Sequence, residues 1–470
     1  MGRRKKDITL YNLKIESVAA EGKSIARDGE QVVFVKEAVP GDVVDIRVTR
    51  KKKSFMEGYP ILYHAYSDKR VEPFCEHFGV CGGCKWQHLD YEAQLEYKHQ
   101  QVVDNLQRIG KVEIGEIYPI LRSEKTKKYR NKLEFTFSNK RWLKKEEIQS
   151  EEPLERNALG FHIPRLFDKI VDIEECHLME EPTNKIKNVI RKYSLENGIS
   201  FFDIREQTGL LRTLMIRITD FGEVMVLVQF AKNEVEIIKN LLSHVREAIP
   251  EITSLLYVIN NKGNDTFNDL EVITFDGKDH IIEEMNGIKF KIGPKSFYQT
   301  NSAQAHNLYK VVVDFADFKG DELVYDLYTG TGTIANFCAS KVGKIIGLEY
   351  VPEAIEDAKE NSSFNNISNT DFFAGDMKDL LNEDFIEKNG KPNVVITDPP
   401  RAGMHENVVD LLMTVEPEKI VYVSCNPATQ ARDIQLMSSK YTVEKIQPVD
   451  MFPQTHHVEN VALLVRRIEK

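Results

Sequence analysis

The chain has 470 residues, 41% of them apolar, and a formal net charge of -10. That length suits roughly two to four domains, and no apolar run reaches the ~18 residues a membrane helix needs, so no membrane span is expected. An acidic total argues against a uniformly basic nucleic-acid glove, although local clusters such as Arg50 to Lys53 and Lys125 to Lys132 still suit phosphates. The start, Met1 to Asp7, is basic but no apolar stretch follows it. No secretory signal is expected there, and a cytoplasmic monomer is the expectation. Six cysteines in such a chain do not suggest a disulfide framework.

Residues 8 to about 60 read as a small all-β unit. Ile8 to Ile15 alternates like a strand, Val32 to Val35 and Val43 to Val48 are β-branched, and turn-rich stretches separate them. Short strands closing on a basic stretch suggest an OB-like barrel able to bind RNA. Residues 71 to 88 form a cysteine-rich loop. Residues 88 to 108 read as a helix, with Leu89, Ala93, Leu95, Val102, Val103 and Leu106 as its apolar stripe. From Tyr129 to about residue 280, strands (Leu133 to Phe137, Met215 to Ile218, Glu223 to Val228) mix with a helix over 234–247, as in an α+β domain. From about residue 285 strands and helices alternate, the pattern of a doubly wound α/β sheet. The expected domains are therefore 1–61 (barrel), 62–283 (central) and 284–470 (catalytic), with the segment near 88–122 packing on the last.

Cys75, Cys81 and Cys84 stand with five and two residues between them, and Cys176 follows far downstream. Four thiolates hold either zinc or an iron–sulfur cluster, and the spacing does not choose. His77, His88 and His177 read as neighbours rather than ligands. Cys338 lies in the helix after a glycine turn and reads as core.

That turn is Asp326-Leu327-Tyr328-Thr329-Gly330-Thr331-Gly332-Thr333, a strand end, a glycine-rich loop and a helix start. Its glycines let a ligand approach the backbone, and the helix offers free N–H groups. The next strand ends in Glu349, where an acid accepts hydrogen bonds from ribose hydroxyls. A third glycine at the dinucleotide spacing is missing, which disfavours a pyrophosphate. The combination resembles the cofactor site of class I S-adenosylmethionine methyltransferases. Two more strands end in Asp398-Pro399-Pro400-Arg401 and Ser424-Cys425-Asn426-Pro427. A lone Cys after an apolar strand is most simply a buried apolar residue. Beside a methyl-donor site it suits a nucleophile instead. Uracil carbon 5 is a poor carbon nucleophile until a thiolate adds to carbon 6, after which a base must remove the carbon-5 proton. Glu459, at the entrance of the last strand, is a natural base, with His456 and His457 as alternatives.

These motifs, with Ser296-Phe297-Tyr298-Gln299-Thr300-Asn301 and His457-Val458-Glu459, resemble the RNA uracil-C5 methyltransferases across the C-terminal half. The resemblance implies Cys425 as nucleophile, Glu459 as proton acceptor, and cofactor contacts from Gln299, Tyr328, Glu349 and Asp398. It also implies Phe297 near a flipped base. Phe74 to His88 resembles the cluster loop of the iron–sulfur branch of that family, and Asp172 to Leu178 its fourth-ligand loop. This implies a 4Fe–4S cluster on Cys75, Cys81, Cys84 and Cys176. The N-terminal barrel resembles a TRAM domain. Tyr129 to Phe135 matches a family segment in which Arg130 and Lys132 suit RNA phosphates.

The expectation is an S-adenosylmethionine-dependent uracil-C5 methyltransferase (EC 2.1.1.-) acting on 23S ribosomal RNA. The rivals are a tRNA uridine-5 methyltransferase, a non-catalytic RNA-binding assembly factor, and an exocyclic-nitrogen methyltransferase. Neither of the last two needs both Cys425 and Glu459.

Overall fold

The computed structural model describes residues 8–149 and 153–468; the basic start at residues 1–7 lies outside them. Among the described residues no helix is long and apolar enough to cross a membrane.

The first unit is a six-stranded sheet built from strands between Ile8 and Ala65. Its first strand, Ile8–Lys14, pairs antiparallel with Val43–Lys51. The chain then bends, and Glu16 N donates to Ile25 O (2.8 Å) before Ser17–Val18 pairs with Ser24–Asp28. One bent strand thus bonds on both sides and curls the sheet around Ile15, Ala26, Val33, Val35, Val44, Ile46 and Met56, so the expected barrel forms. Its last strand, Phe55–Ala65, runs past the anticipated limit at residue 61.

Tyr91–Asn105 is helical, capped where the Asp90 side chain accepts from Ala93 N. The next turn, Leu106–Gly110, is a wide π turn that ends at Lys111 in the left-handed region. Val102 and Leu106 share a core with Tyr422, Ala431 and Ile434 of the C-terminal part. The strand Ile114–Ile117 then pairs parallel with Tyr441–Val449. This early segment is thus built into the catalytic sheet itself, beyond the packing anticipated for it.

The central sheet has seven strands, with Leu211–Ile218 and Val224–Phe230 at its heart. Alternation sends Val224, Val226 and Val228 toward the helices Thr183–Glu196 and Val235–Ala248. Met215, Met225 and Leu227 face the other way, into a core shared with Leu308, Val312 and Val421. The central and catalytic parts therefore have no dry gap between them. Ile281–Met285 and Ile288–Ile292 form one hairpin. The boundary expected at 283/284 falls inside its first strand, because the cross-strand pairs Ile281–Ile292 and Met285–Ile288 make the hairpin a single unit.

The alternating βα pattern starts later than residue 285, at Leu323. In spatial order the eight strands are Thr370–Ala374, Lys344–Glu349, Leu323–Leu327, Val394–Thr397, Lys419–Ser424, Glu459–Arg466, Tyr441–Val449 and Ile114–Ile117. The first five are mutually parallel, so their C-terminal ends share one edge. The order reverses at Leu323–Leu327, which has Lys344–Glu349 on one side and Val394–Thr397 on the other. Ligands of open α/β sheets bind at such a reversal.

Candidate active site

Five loops converge on that edge. At the first, Tyr328 (φ 63°), Gly330 (φ 56°) and Gly332 (φ 73°) all take left-handed backbone. Gly332 is required twice over, because a Cβ there would also come within 2.9 Å of Ala358 Cβ. The loop is tied to the neighbouring strand through Glu349, whose two carboxylate oxygens accept from Gly330 N (3.2 Å) and Val351 N (3.0 Å). Each oxygen keeps a lone pair for a ligand hydroxyl. Tyr328 is half-buried, and burial pushes its hydroxyl up to about 12.

Across the reversal stands Asp398, with Asp326 behind it. Burial first, and then the Asp326 carboxylate, push Asp398 up to about 7. Burial also pushes Asp326 to about 7, against the opposing hydrogen bond from Thr329; Asp326 Oδ1 is buried without a partner. Gln299 and Phe297 lie on the turn before the helix Ser302–Ala316. Thr331 Oγ1 donates to Phe297 O (3.3 Å), and Asn131 Nδ2 donates to Gln299 O (2.9 Å). The Phe297 ring is 66% exposed, free to meet a ligand from solvent.

Cys425 and Glu459 meet through register. Lys419–Ser424 runs antiparallel to Glu459–Arg466, with Tyr422 opposite Ala462 and Ser424 opposite Asn460. One step further brings Cys425 to Glu459. Burial, then Glu459 and Asp398, push the Cys425 thiol up to about 11, while a hydrogen bond and the positive charge of Arg401 oppose them. Glu459 is 5% exposed and is pushed up to about 8 by burial and Asp398, again opposed by Arg401. The mouth therefore gathers two carboxyls and a thiol, and among the described residues the cation that acts most on the thiol and on Glu459 is the exposed Arg401 guanidinium. Such a set favours an incoming positive charge, which is what a sulfonium donor carries. Burial holds His456 near 4 and His457 near 3. Both are neutral at pH 7 and far weaker bases than Glu459. Arg401 lay inside a quoted motif but had no assigned role; its partner, the thiol, becomes visible only once two strand ends are adjacent.

The four cysteines form a second centre. Cys75, Cys81, Cys84 and Cys176 all line one cavity of about 420 Å³, and none is in a disulfide. Burial raises all four thiols, Cys84 to about 12 and Cys176 to about 11. Gly83 N donates to Cys81 Sγ (3.4 Å), and Asn184 Oδ1 accepts from Cys176 N (2.8 Å). Among the described residues no three His, Cys, Asp or Glu side chains converge as ligands of a single ion. The donor set, four cysteine sulfurs lining one open cavity, is of a kind that holds either zinc or an iron–sulfur cluster. Arg130 and Lys132 line this cavity too. Lys132 is paired with Glu134, and the Arg130 guanidinium lies 5.8 Å from the Phe452 ring centroid, so both have protein partners. Cys338 is fully buried in the core.

Residues 273–467 match the family described as tRNA (Uracil-5-)-methyltransferase, and residues 7–61 match the TRAM domain. An "uncharacterized RNA methyltransferase" of Bacteroides thetaiotaomicron is 58% identical over 96% of this chain and 100% of its own length. One of Chlorobaculum tepidum is 37% identical over 98% of this chain and 97% of its own. Among solved structures, the Pyrococcus abyssi tRNA (uracil-54, C5)-methyltransferase in complex with S-adenosyl-L-homocysteine superposes with a TM-score of 0.74 at 29% identity, covering 96% of this chain and 100% of that one. With a methyltransferase sheet, a TRAM barrel and full-length relatives, the chain belongs to the RNA (uracil-5-)-methyltransferase family.

Proposed function

We propose that the chain methylates carbon 5 of a uridine in RNA, with Cys425 as nucleophile and Glu459 as the base. The observation that carries this is the register placing Cys425 beside Glu459 at the mouth closed by Asp398. S-adenosylmethionine, when bound, supplies an electrophilic methyl group; Gln299, Tyr328, Glu349 and Asp398 are the residues that would hold it. Cys425 Sγ bonds to carbon 6 of the uracil, moving the ring's π pair toward carbon 5 and the 4-oxygen. Carbon 5 takes the methyl group as the donor's carbon–sulfur bond breaks. Glu459, held near 8 and so required to lose its own proton first, then accepts the carbon-5 proton as a carboxylate, the ring double bond re-forms, and the thiolate leaves. Arg401 opposes the rise of the thiol and so favours its ionised form. The base must be turned out of its stack to reach the thiol, and the exposed Phe297 is placed to pack against it.

The test is covalent trapping. With 5-fluorouracil RNA and the methyl donor, the wild type should form a stable protein–RNA adduct, because fluorine cannot leave as a proton. Cys425→Ala should form none, and an adduct persisting in that variant would overturn the mechanism.

We also propose that Cys75, Cys81, Cys84 and Cys176 hold a 4Fe–4S cluster. The shared cavity supports this reading, and so does the resemblance of the loop to the iron–sulfur branch; burial raises all four thiols, so binding must also displace their protons. Since methyl transfer moves no net electron, the cluster would serve structure or RNA placement. Anaerobically purified protein should be brown, with iron and sulfide near about four each per chain; colourless protein with stoichiometric zinc would refute it. For the substrate we favour 23S ribosomal RNA, which the resembled branch modifies. A second reading, tRNA, is favoured by the name of the Pyrococcus structural relative. Mapping 5-methyluridine in ribosomal and transfer RNA from cells lacking the protein separates them.

A further inference from the structure

The connection 450–458 joins the last two C-terminal strands of the catalytic sheet. Its flanks, Val449 and Glu459, pair across the ladder, so the shape of the connection sets how Glu459 enters the site. Connecting segments are ordinarily among the more mobile parts of a fold, but most of the 450–458 segment is buried. This one is held at four successive carbonyls. Met451 O accepts from Asn301 Nδ2 (3.0 Å), and Phe452 O from Lys98 Nζ (3.0 Å). Pro453 O accepts from Tyr129 OH (3.1 Å), and Gln454 O from Lys85 N (2.8 Å) and Trp86 N (3.0 Å). The donors come from four separate segments: the turn after Gln299, the helix Tyr91–Asn105, the stretch before Arg130, and the loop after Cys84. Gln94 clasps Gln454 in both directions, accepting from its N (2.9 Å) and donating to its Oε1 (3.1 Å).

At the foot of this strap, Lys98 Nζ meets Asp450 Oδ1 at 2.5 Å, with both side chains 0% exposed. Asp450 Oδ2 accepts from Tyr91 OH (2.8 Å). A fully buried ion pair is a poor device for stability, since well-packed apolar replacements are often neutral or better. It does fix direction, because each charge admits few geometries once solvent is gone.

We propose that Lys98, Asp450 and Gln94 are positioning residues for proton abstraction, holding the strap so that the Glu459 carboxylate meets the carbon-5 proton. The inference rests on the reading of Glu459 as base. Its test separates two steps. Trapping on 5-fluorouracil RNA reports addition and methyl transfer, and release of ordinary methylated RNA also needs the base. In Lys98→Met/Asp450→Leu, which leaves no unpaired buried charge, trapping should proceed at the wild-type rate. Release should slow about 100-fold, the scale of a 1 Å misplacement, with covalent adduct accumulating on ordinary RNA. Should the double variant fail to fold, Gln94→Leu, which leaves the ion pair intact and cuts the clasp together with the Gln94 Nε2 bonds to Trp86 O (3.1 Å) and Leu89 O (2.9 Å), decides by the same split. Equal slowing of both steps, or unchanged release, overturns the proposal. Glu459→Gln is the control. If it also releases product at the wild-type rate, the base assignment itself fails; if it stalls while the strap variants do not, only the positioning role falls.

Discussion

Replacing Glu459 by Gln should make the ligand-free protein more stable, and only at high pH. The carboxyl is held near 8 rather than 4.5, chiefly by burial. The folded protein therefore retains a proton that the unfolded chain has already lost between those values. Stability falls as pH rises wherever the native state binds more protons, so the penalty is absent below about 4.5 and complete above about 8. At 1.36 kcal/mol per unit the displacement sets an upper bound on the order of 5 kcal/mol. Relaxation around the charge reduces this, and a gain of about 2 kcal/mol for the variant above pH 8 is the working expectation. Gln keeps the shape and carries no titrating proton. Urea midpoints of both proteins at pH 5, 7 and 9 make the measurement, with the slope checked for constancy. The curves should lie close together at pH 5, where the penalty has only begun, and separate fully at pH 9. A difference independent of pH, or a less stable variant at pH 9, would refute the argument that burial of this carboxyl sets its acidity.

Other outcomes follow from the same structure. The trapping rate on 5-fluorouracil RNA should climb with pH from 6 to 9, because the Cys425 thiol sits near 11 and only the thiolate attacks; a profile flat above pH 6 would contradict the raised thiol. Lys98→Met alone should cost about 3–5 kcal/mol by stranding Asp450 without its partner, and restoring apolar balance with Asp450→Leu should recover most of that loss. Cys338→Ala should lower the unfolding midpoint through a small core cavity while leaving trapping intact, the reverse of Cys425→Ala. For the proposed cluster, Cys84→Ser should lower iron and sulfide content relative to the wild type without abolishing the Cys425 adduct.

Much of the candidate site was legible because its residues sit at or near strand ends: Asp326 one residue inside its strand, Glu349 at the end of its own, and Asp398 and Cys425 directly after theirs. Local sequence marks such stops well. What it does not mark is which stops are neighbours. The meeting of Cys425 with Glu459 depends on an antiparallel register between distant strands, and the strap depends on donors from four segments. Nothing in the local sequence singles out Lys98; only the fold reveals that Asp450 waits opposite it. Arg130 and Lys132 have surroundings that local sequence does not mark. Their basic, aromatic-rich setting suggested RNA, yet both side chains line the cysteine cavity, one against Phe452 and the other against Glu134.

The strand Ile114–Ile117 has a consequence for how the molecule comes into being. It pairs with Tyr441–Val449, putting Ile114 opposite Val443. The barrel and central sheet contain every strand they need well before that partner exists, and domains generally fold as units during synthesis, N-terminal first. The catalytic sheet does not complete its edge until nearly the whole chain has left the ribosome. Until then Ile114–Ile117 is an unpaired strand, the kind of edge that recruits the wrong partner. The wide turn at Leu106–Gly110 and the helix before it tether that strand to a half-built protein, in wait for the residues that will also deliver Glu459.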